Sequence, residues 1–392
     1  MFFGTRAFFV FGLCVSDLKK RVRFKGLQGG AVSDRIVENL SMRLSAKKII
    51  LALAVCASAL TCLAAKNSPL HITHFLAYYN TQIGRIPNPE FIDQIIFGPA
   101  RINKDFSLEI MSEKKLADIV SLKESFPELK ITLLIGGVRS ANFSEAAATE
   151  QSRAKFLDSL GAAMEKYNLD GVDFDWEFPS KVDAATGQNG TAQDVENYTL
   201  LMRDFKARFP EKILTVDVGN EVEHIDLAAC HKYVDKFNLM SYDYSSLSHN
   251  APLYPTIIKR NNYVSKSVDK MLALVPSEKI SMGIPFYGRR ILSRDGDNPQ
   301  MFYRDIVEYA KRHELVLCRD EIARSPFYLD AKMQPAIMFD DETSIREKCR
   351  YAREKKLGGV SVWQSLGDDD SFTLSRATAE ECWAKKKKKR AK

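Results

Sequence analysis

Between residues 72 and 363 the spacing of apolar positions switches back and forth between two periods. Eight short runs are apolar almost throughout or at every second position: "ITHFLAYY" (72–79), "IDQIIFG" (92–98), "KITLLIGG" (130–137), "GVDFDW" (171–176), "KILTVDV" (212–218), "KFNLMSY" (236–242), "KISMGIPF" (279–286) and "GGVSVW" (358–363). Such runs read as strands. Between them lie stretches with apolar residues at helical spacing, such as "SEKKLADIVSLKESF" (112–126), "RAKFLDSLGAAMEKY" (153–167) and "DVENYTLLMRDFKARF" (194–209). Strands that alternate with amphipathic helices predict a parallel sheet covered on its outer face. Eight such units suit a closed (β/α)8 TIM barrel better than an open sheet. The widest gap, about residues 289–334, predicts a small insertion between strands 7 and 8, with one helix around "MFYRDIVEYAKRHEL" (301–315) and less regular sequence after it.

Charge divides the chain into three parts. Its net charge is +7, but residues 1–65 and the tail "AKKKKKRAK" (384–392) each carry +7, so the body between them carries −7. That body presents no broad basic surface for nucleic acid. The tail reads as a solvated polybasic end. Within the first part, "MRLSAKKIILALAVCASALTCLAAKN" (42–67) has a basic start, an apolar stretch over Ile49–Leu60 and small residues at Ala64 and Ala65. It reads as a signal peptide (42–65), with a retained anchor as the alternative; the apolar run is short for a membrane span. Residues 1–41 then form an upstream segment outside the mature chain, with Met42 as the start, and residues 66–383 form the barrel. A secreted, periplasmic or cell-surface protein is expected, monomeric and without a stable membrane span. Four of the seven cysteines fall in that mature body, at 230, 318, 349 and 382, and none has C-x-x-C spacing. Export would permit disulfides, whose pairing spacing alone does not reveal.

The fourth strand poses a chemical question. "NLDGVDFDWEFPS" (168–180) sets Asp173, Asp175 and Glu177 on one face and Val172, Phe174 and Trp176 on the other. Barrel strands carry their functional residues at the carboxyl end, facing the mouth. Three carboxyls stepping along one strand, roughly 6–7 Å apart, cannot all ionise freely in a partly buried site. At least one keeps a proton near neutral pH, as a general acid must. Trp176 by alternation points away from the interior and packs. A calcium site is the competing reading, but it needs about six oxygens gathered from a loop.

"DGVDFDWE" (170–177) resembles the D-x-x-D-x-D-x-E signature of glycoside hydrolase family 18, the chitinases and endo-β-N-acetylglucosaminidases. "FNLMSYDY" (237–244), "HNAPLY" (249–254), "MGIPFYGR" (282–289) and "FDDETSIREKCRYAREKKLGGVSVW" (339–363) resemble later segments of that family in the same order. The resemblance implies a retaining hydrolase of β-1,4-linked N-acetylglucosamine polymers, chitin or its oligomers. It uses the substrate's own acetamido oxygen as nucleophile, a departure from the usual carboxylate pair. It implies Glu177 as acid and then base, Asp175 as partner of the acetamido N–H, Asp173 sharing a proton behind it, and Tyr242 as donor to the acetamido carbonyl. Asp243, Met240, Trp363, Tyr287 and Tyr78 are implied to line the sugar site. Asp170 is read as structural, holding the turn into the strand. No cofactor, metal or nucleotide loop is expected. An endo-β-N-acetylglucosaminidase acting on N-glycans or cell-wall glycans, and a silent chitin-binding lectin, remain as alternatives. The chain departs from the family at Leu134, where a hydroxyl usually supports the innermost aspartate, and at Val138 and Pro99, where aromatic platforms are common.

Overall fold

The structure is a computed structural model and describes residues 69–80, 87–138, 141–245, 248–256, 262–291 and 300–383. The upstream segment, the signal and the polybasic tail lie outside the described residues.

Eight parallel strands close on themselves: β1 (His71–Ala77), β2 (Gln94–Ile102), β3 (Lys130–Gly137), β4 (Gly171–Trp176), β5 (Ile213–Val218), β6 (Lys236–Leu239), β7 (Ile280–Pro285) and β8 (Gly359–Trp363). Each pairs with its neighbours in sequence, and β8 pairs with β1 to complete the ring. All eight apolar runs are therefore the barrel strands. The predicted helices are present as α1 (Glu113–Ser125), α2 (Glu150–Lys166) and α3 (Asp194–Arg208). They are followed by α4 (Val264–Leu272), α5 (Glu342–Glu354) and α6 (Thr373–Cys382). Among the described residues no helix is long and apolar enough to cross a membrane.

Alternation along the strands separates two environments. Outward residues such as Ile95, Phe97, Leu133, Val172, Phe174, Val216 and Phe237 are buried against the helices in one large apolar core. The inward set is polar. Every strand contributes at least one polar side chain no more than 3% exposed: Thr73, Gln94, Thr132, Asp173, Thr215, Asn238, Ser281 and Ser361. Burying so many polar groups is tolerable only if they bond one another. Several do so across strands: the Gln94 amide donates to the Thr132 hydroxyl at 3.0 Å, and Thr215 and Asn238 donate to Asp173. A small apolar plug, Phe75, Ile96 and Leu134, sits among them beneath Trp363.

The insertion does lie between β7 and β8, but its second half is ordered sheet and not irregular sequence. Strands Tyr287–Arg290, Gln300–Phe302, Val316–Asp320, Ser325–Leu329 and Pro335–Met338 form an antiparallel five-stranded sheet, with a helix over Tyr303–Arg312. Ile306, Ile337 and Phe339 give it a core of its own. The insertion thus starts at the end of β7 and runs to Met338, a little wider than the gap in the apolar pattern.

Candidate active site

β4 is fixed from both sides. On its outer face Trp176 stacks on Phe143, with centroids 5.0 Å apart and planes 7° apart, and meets Tyr198 edge-on. Trp176 therefore packs, as alternation predicts. At the strand's start Asp170 accepts from the Lys123 ammonium at 2.9 Å and from the Ile131 N–H at 2.8 Å, which pins the turn to β3. With both ends held, Asp173 and Asp175 project inward and Glu177 follows at the rim.

Asp173 is wholly buried. It accepts from the Thr215 hydroxyl of β5 and from the Asn238 amide of β6 at 3.0 Å. Burial pushes its carboxyl up to about 7, against the pull of Thr215, Asp217 and Asn238, which hydrogen-bond its charged form. Asp175, 4% exposed, is raised well above the usual carboxylate range by burial and by the charges of Glu177 and Asp173. Asp217, 5% exposed and on β5, is raised in the same way by burial, Asp173 and Asp175. Three carboxyls thus share one water-poor compartment and hold protons jointly. Glu177 is half-buried. Burial raises it to about 7, Asp243 adds to the rise and Lys181 opposes it. Its backbone carbonyl is held by the Gln188 amide at 2.8 Å.

The opposite wall comes from the ends of β6 and β7. Tyr242 is 9% exposed. Its ring meets Tyr287 edge-on at 6.0 Å, and burial together with Tyr287, Asp217 and Asp175 raises its phenol well above the normal value, so it faces the acids. The ring fits there because Gly283 has no side chain; a Cβ at that position would lie 2.9 Å from Tyr242 Cε1. Asp243 adopts a left-handed backbone with φ 58°. Its carboxylate accepts from Arg289 Nη2 at 2.7 Å and Nε at 3.2 Å, and the Tyr287 hydroxyl bonds it as well. Met240, half-buried, directly follows β6 and packs against the main apolar core. Trp363 ends β8 as a half-buried floor resting on Phe75, with centroids 5.6 Å apart. At the end of β1, Tyr78 is half-buried and its backbone carbonyl is bonded by Lys115. The neighbouring ring, Tyr79, is the more exposed of the two at 58%, but enough protein surrounds it to raise its phenol by desolvation, with the charges of Asp175, Tyr78 and Glu177 adding to the rise.

Asp173, Asp175, Glu177, Tyr242, Tyr287, Asp243, Met240 and Trp363 therefore gather at the carboxyl end of the barrel, and Tyr78 lies at its edge. Thr215, Asp217, Asn238, Arg289 and Tyr79 belong to the same site but were not picked out by sequence reasoning. The departures have structural places too. Leu134 is buried in the interior plug, and Val138 is 64% exposed at the end of β3. Pro99 follows a cis peptide within β2.

Comparison with known proteins agrees with this arrangement. The family model for glycosyl hydrolases family 18 matches residues 72–369. "Probable chitinase 2" of Drosophila melanogaster is 30% identical over 290 residues, 64% of this chain and 58% of that protein. "Chitinase A1" of Niallia circulans is 27% identical over 304 residues, 66% of this chain and 43% of that protein. The chain thus spans about half the length of these two relatives. Among solved structures, a family 18 N-acetylglucosaminidase from Paenibacillus barengoltzii superposes with a TM-score of 0.70 at 27% identity, over 80% of this chain and 99% of that one. The Ostrinia furnacalis Group IV chitinase shares the fold, with a TM-score of 0.72 at 23% identity over 80% of this chain and 99% of that one. A signature strand whose acids face the barrel mouth, inside a match that covers most of the described residues, makes this chain a member of glycosyl hydrolases family 18.

Proposed function

We propose that this chain is a retaining chitinase-type hydrolase, cleaving β-1,4-linked N-acetylglucosamine polymers or their oligomers by substrate-assisted catalysis. The observation that carries the reading is Glu177. It is half-buried, held at about 7, and sits next in line to buried carboxyls that rise from the same strand. At neutral pH a large fraction of such a group carries the proton that a glycosidic oxygen needs on leaving.

Asp173, Asp175 and Glu177 rise from one strand, and the carboxylate of the opposite wall, Asp243, is engaged by Arg289, so no free carboxylate pair flanks the sugar as in the usual two-carboxylate mechanism. The acetamido carbonyl oxygen of the substrate supplies the nucleophile instead. Glu177 gives its proton to the leaving oxygen while that carbonyl bonds to C1, forming an oxazolinium ion. Asp175 accepts from the acetamido N–H and stabilises the positive charge. Tyr242 donates to the acetamido carbonyl and orients it. Water then adds to C1 from the vacated side, losing its proton to Glu177, and the β-configuration is retained. Trp363 offers its face to the sugar at the cleavage point. Secretion remains part of this reading, supported by the basic–apolar–small pattern at 42–65.

The test is hydrolysis of chitin oligomers by the wild-type chain and Glu177→Gln, with the product anomer followed by NMR. The reading predicts β-anomer release by the wild type and a loss of turnover of at least ~10³-fold in the variant, with binding kept. Binding without turnover by both proteins would replace it with a lectin. Inactivity of the wild type on chitin oligomers, with turnover of an N-glycan core, would replace it with an endo-β-N-acetylglucosaminidase.

A further inference from the structure

Helix α6 returns the end of the described chain to the start of the barrel. The Leu70 N–H donates to the Cys382 carbonyl at 3.0 Å, and the Trp383 indole donates to Asp93 at 3.2 Å. The N-terminal turn of α6 is tied by Asp368, whose carboxylate accepts from the N–H groups of Leu374 at 3.0 Å and Ser375 at 2.7 Å. Along its length α6 packs on α5. Ion pairs flank that contact: Arg346 with Glu380 at 2.8 Å, Arg350 with Glu381 at 3.2 Å, and Arg353 with Glu381. Between the two helices lie two thiols. Cys349 of α5 and Cys382 of α6 are both 0% exposed, and their sulfurs are 2.9 Å apart.

Burial alone does not account for this pair. A buried cysteine ordinarily behaves as a small apolar side chain and needs no sulfur beside it. Two sulfurs inside their van der Waals separation, on helices already pinned around them, need to close by less than 1 Å to reach the ~2.05 Å of a covalent bond. The other two described cysteines differ: Cys230 is buried with its thiol toward the Leu227 carbonyl, and Cys318 is half-buried in the insertion.

We infer that Cys349 and Cys382 form a disulfide that staples the closing helix to the barrel. The bond spans 33 positions. It cross-links the helix that feeds β8 to the helix that covers the entry to β1, the seam where the ring closes. The oxidant is a disulfide of the small-molecule or oxidoreductase class. One cysteine thiolate attacks it and expels a thiolate; the second cysteine's thiolate then displaces the other half. The protein loses two protons and two electrons, and the external disulfide becomes two thiols. Because both sulfurs are sealed from solvent once α6 docks, oxidation belongs to folding, before docking is complete. The finished bond is equally shielded from reductants.

The full chain, refolded in a mixture of reduced and oxidised glutathione, tests this. A non-reducing peptide map is expected to contain one peptide pair joining Cys349 to Cys382. Unfolding in dithiothreitol is expected at a Tm lower by roughly 5 °C. Cys349→Ser should match the reduced wild type and lose any response to dithiothreitol. Complete alkylation of both thiols in denaturant without reductant would overturn the inference, as would a map pairing either one with a different cysteine. Should Cys349→Ser fail to fold, the wild-type peptide map still decides.

Discussion

Leu134 and Asp173 stand directly opposite each other in the ladder between β3 and β4. A buried carboxyl thus faces an isobutyl group on one side and takes its hydrogen bonds from the other, from Thr215 and Asn238. Support for the innermost acid comes from the fifth and sixth strands and not from the third. Thr215→Val removes a donor without changing shape and leaves Asp173 harder to ionise. Turnover is expected to fall about 10–100-fold with KM little changed, and Thr215→Ser should restore most of it. Steady-state kinetics on a chitin oligomer would check both.

The reciprocal change has a different outcome. Leu134 is also part of the plug formed with Phe75 and Ile96 beneath Trp363. Leu134→Ser would return a hydroxyl to Asp173 but open a cavity in that plug. Removing a buried isobutyl group costs about 2–5 kcal/mol, against about 1 kcal/mol for a new hydrogen bond. The packing loss dominates, so a lower Tm is expected, along with a weaker floor under the sugar and a raised KM. Calorimetry and kinetics on the same variant would show both.

Activity and stability should respond to pH in linked ways. Glu177, at about 7, must be protonated to act, so kcat/KM is expected to fall as pH rises through about 7. The Lys181 ammonium favours the charged form; Lys181→Met removes that pull and should move the limb upward by about half a unit. For stability the sign follows from the raised values. Asp173 lies at about 7, above its ordinary 3.8. A group whose folded pKa is raised supports the fold while protonated. Its contribution is complete below the unfolded value and disappears as pH rises through the folded one. The wild-type Tm should therefore decline between pH 4 and pH 8. Asp173→Asn, permanently neutral, should be roughly 3 °C more stable than wild type at pH 8, equal to it at pH 4, and nearly inactive. A Tm series across that range would reveal the crossover.

The sequence was readable where period and chemistry coincided. On β4 a strict alternation displays Asp173 and Asp175 against Val172, Phe174 and Trp176, so fold and site could be read together. On β5 the same alternation was present, with Thr215 and Asp217 between Leu214, Val216 and Val218, but the run read as apolar and its inward acid passed unnoticed. At the end of β1 the chain turns into a 3-10 helix at Tyr78, where strand alternation no longer decides which of Tyr78 and Tyr79 turns toward the mouth. The insertion strands are three to five residues long, and some of their partners lie far away in sequence, as Arg289 and Met338 do. Short strands paired at long range leave little local pattern. Arg289 reaches Asp243 across 46 positions, a contact that only the closed barrel creates.

The position of Tyr242 depends on an absence. A Cβ on Gly283 would lie 2.5 Å from the Leu239 carbonyl oxygen, 2.8 Å from the Ser241 nitrogen and 2.9 Å from Tyr242 Cε1. Two of these three are backbone atoms of the chain leaving β6, and neither can yield without moving the ladder. Gly283→Ala should therefore cost about 1–3 kcal/mol through overpacking and push the Tyr242 ring off its line toward the acids. Tyr242→Phe gives the contrast, since it keeps the ring and removes only the hydroxyl. The proposed role of that hydroxyl in orienting the acetamido carbonyl predicts a Tyr242→Phe loss in kcat of about 10²-fold with an unchanged Tm. Gly283→Ala should lose both activity and Tm, and adding Tyr242→Phe to it should cost little further activity, because the hydroxyl it removes is already misplaced. A full additional loss in the double variant would mean that the ring holds its place without the glycine, and that the strand edge, not the aromatic contact, is what Gly283 protects.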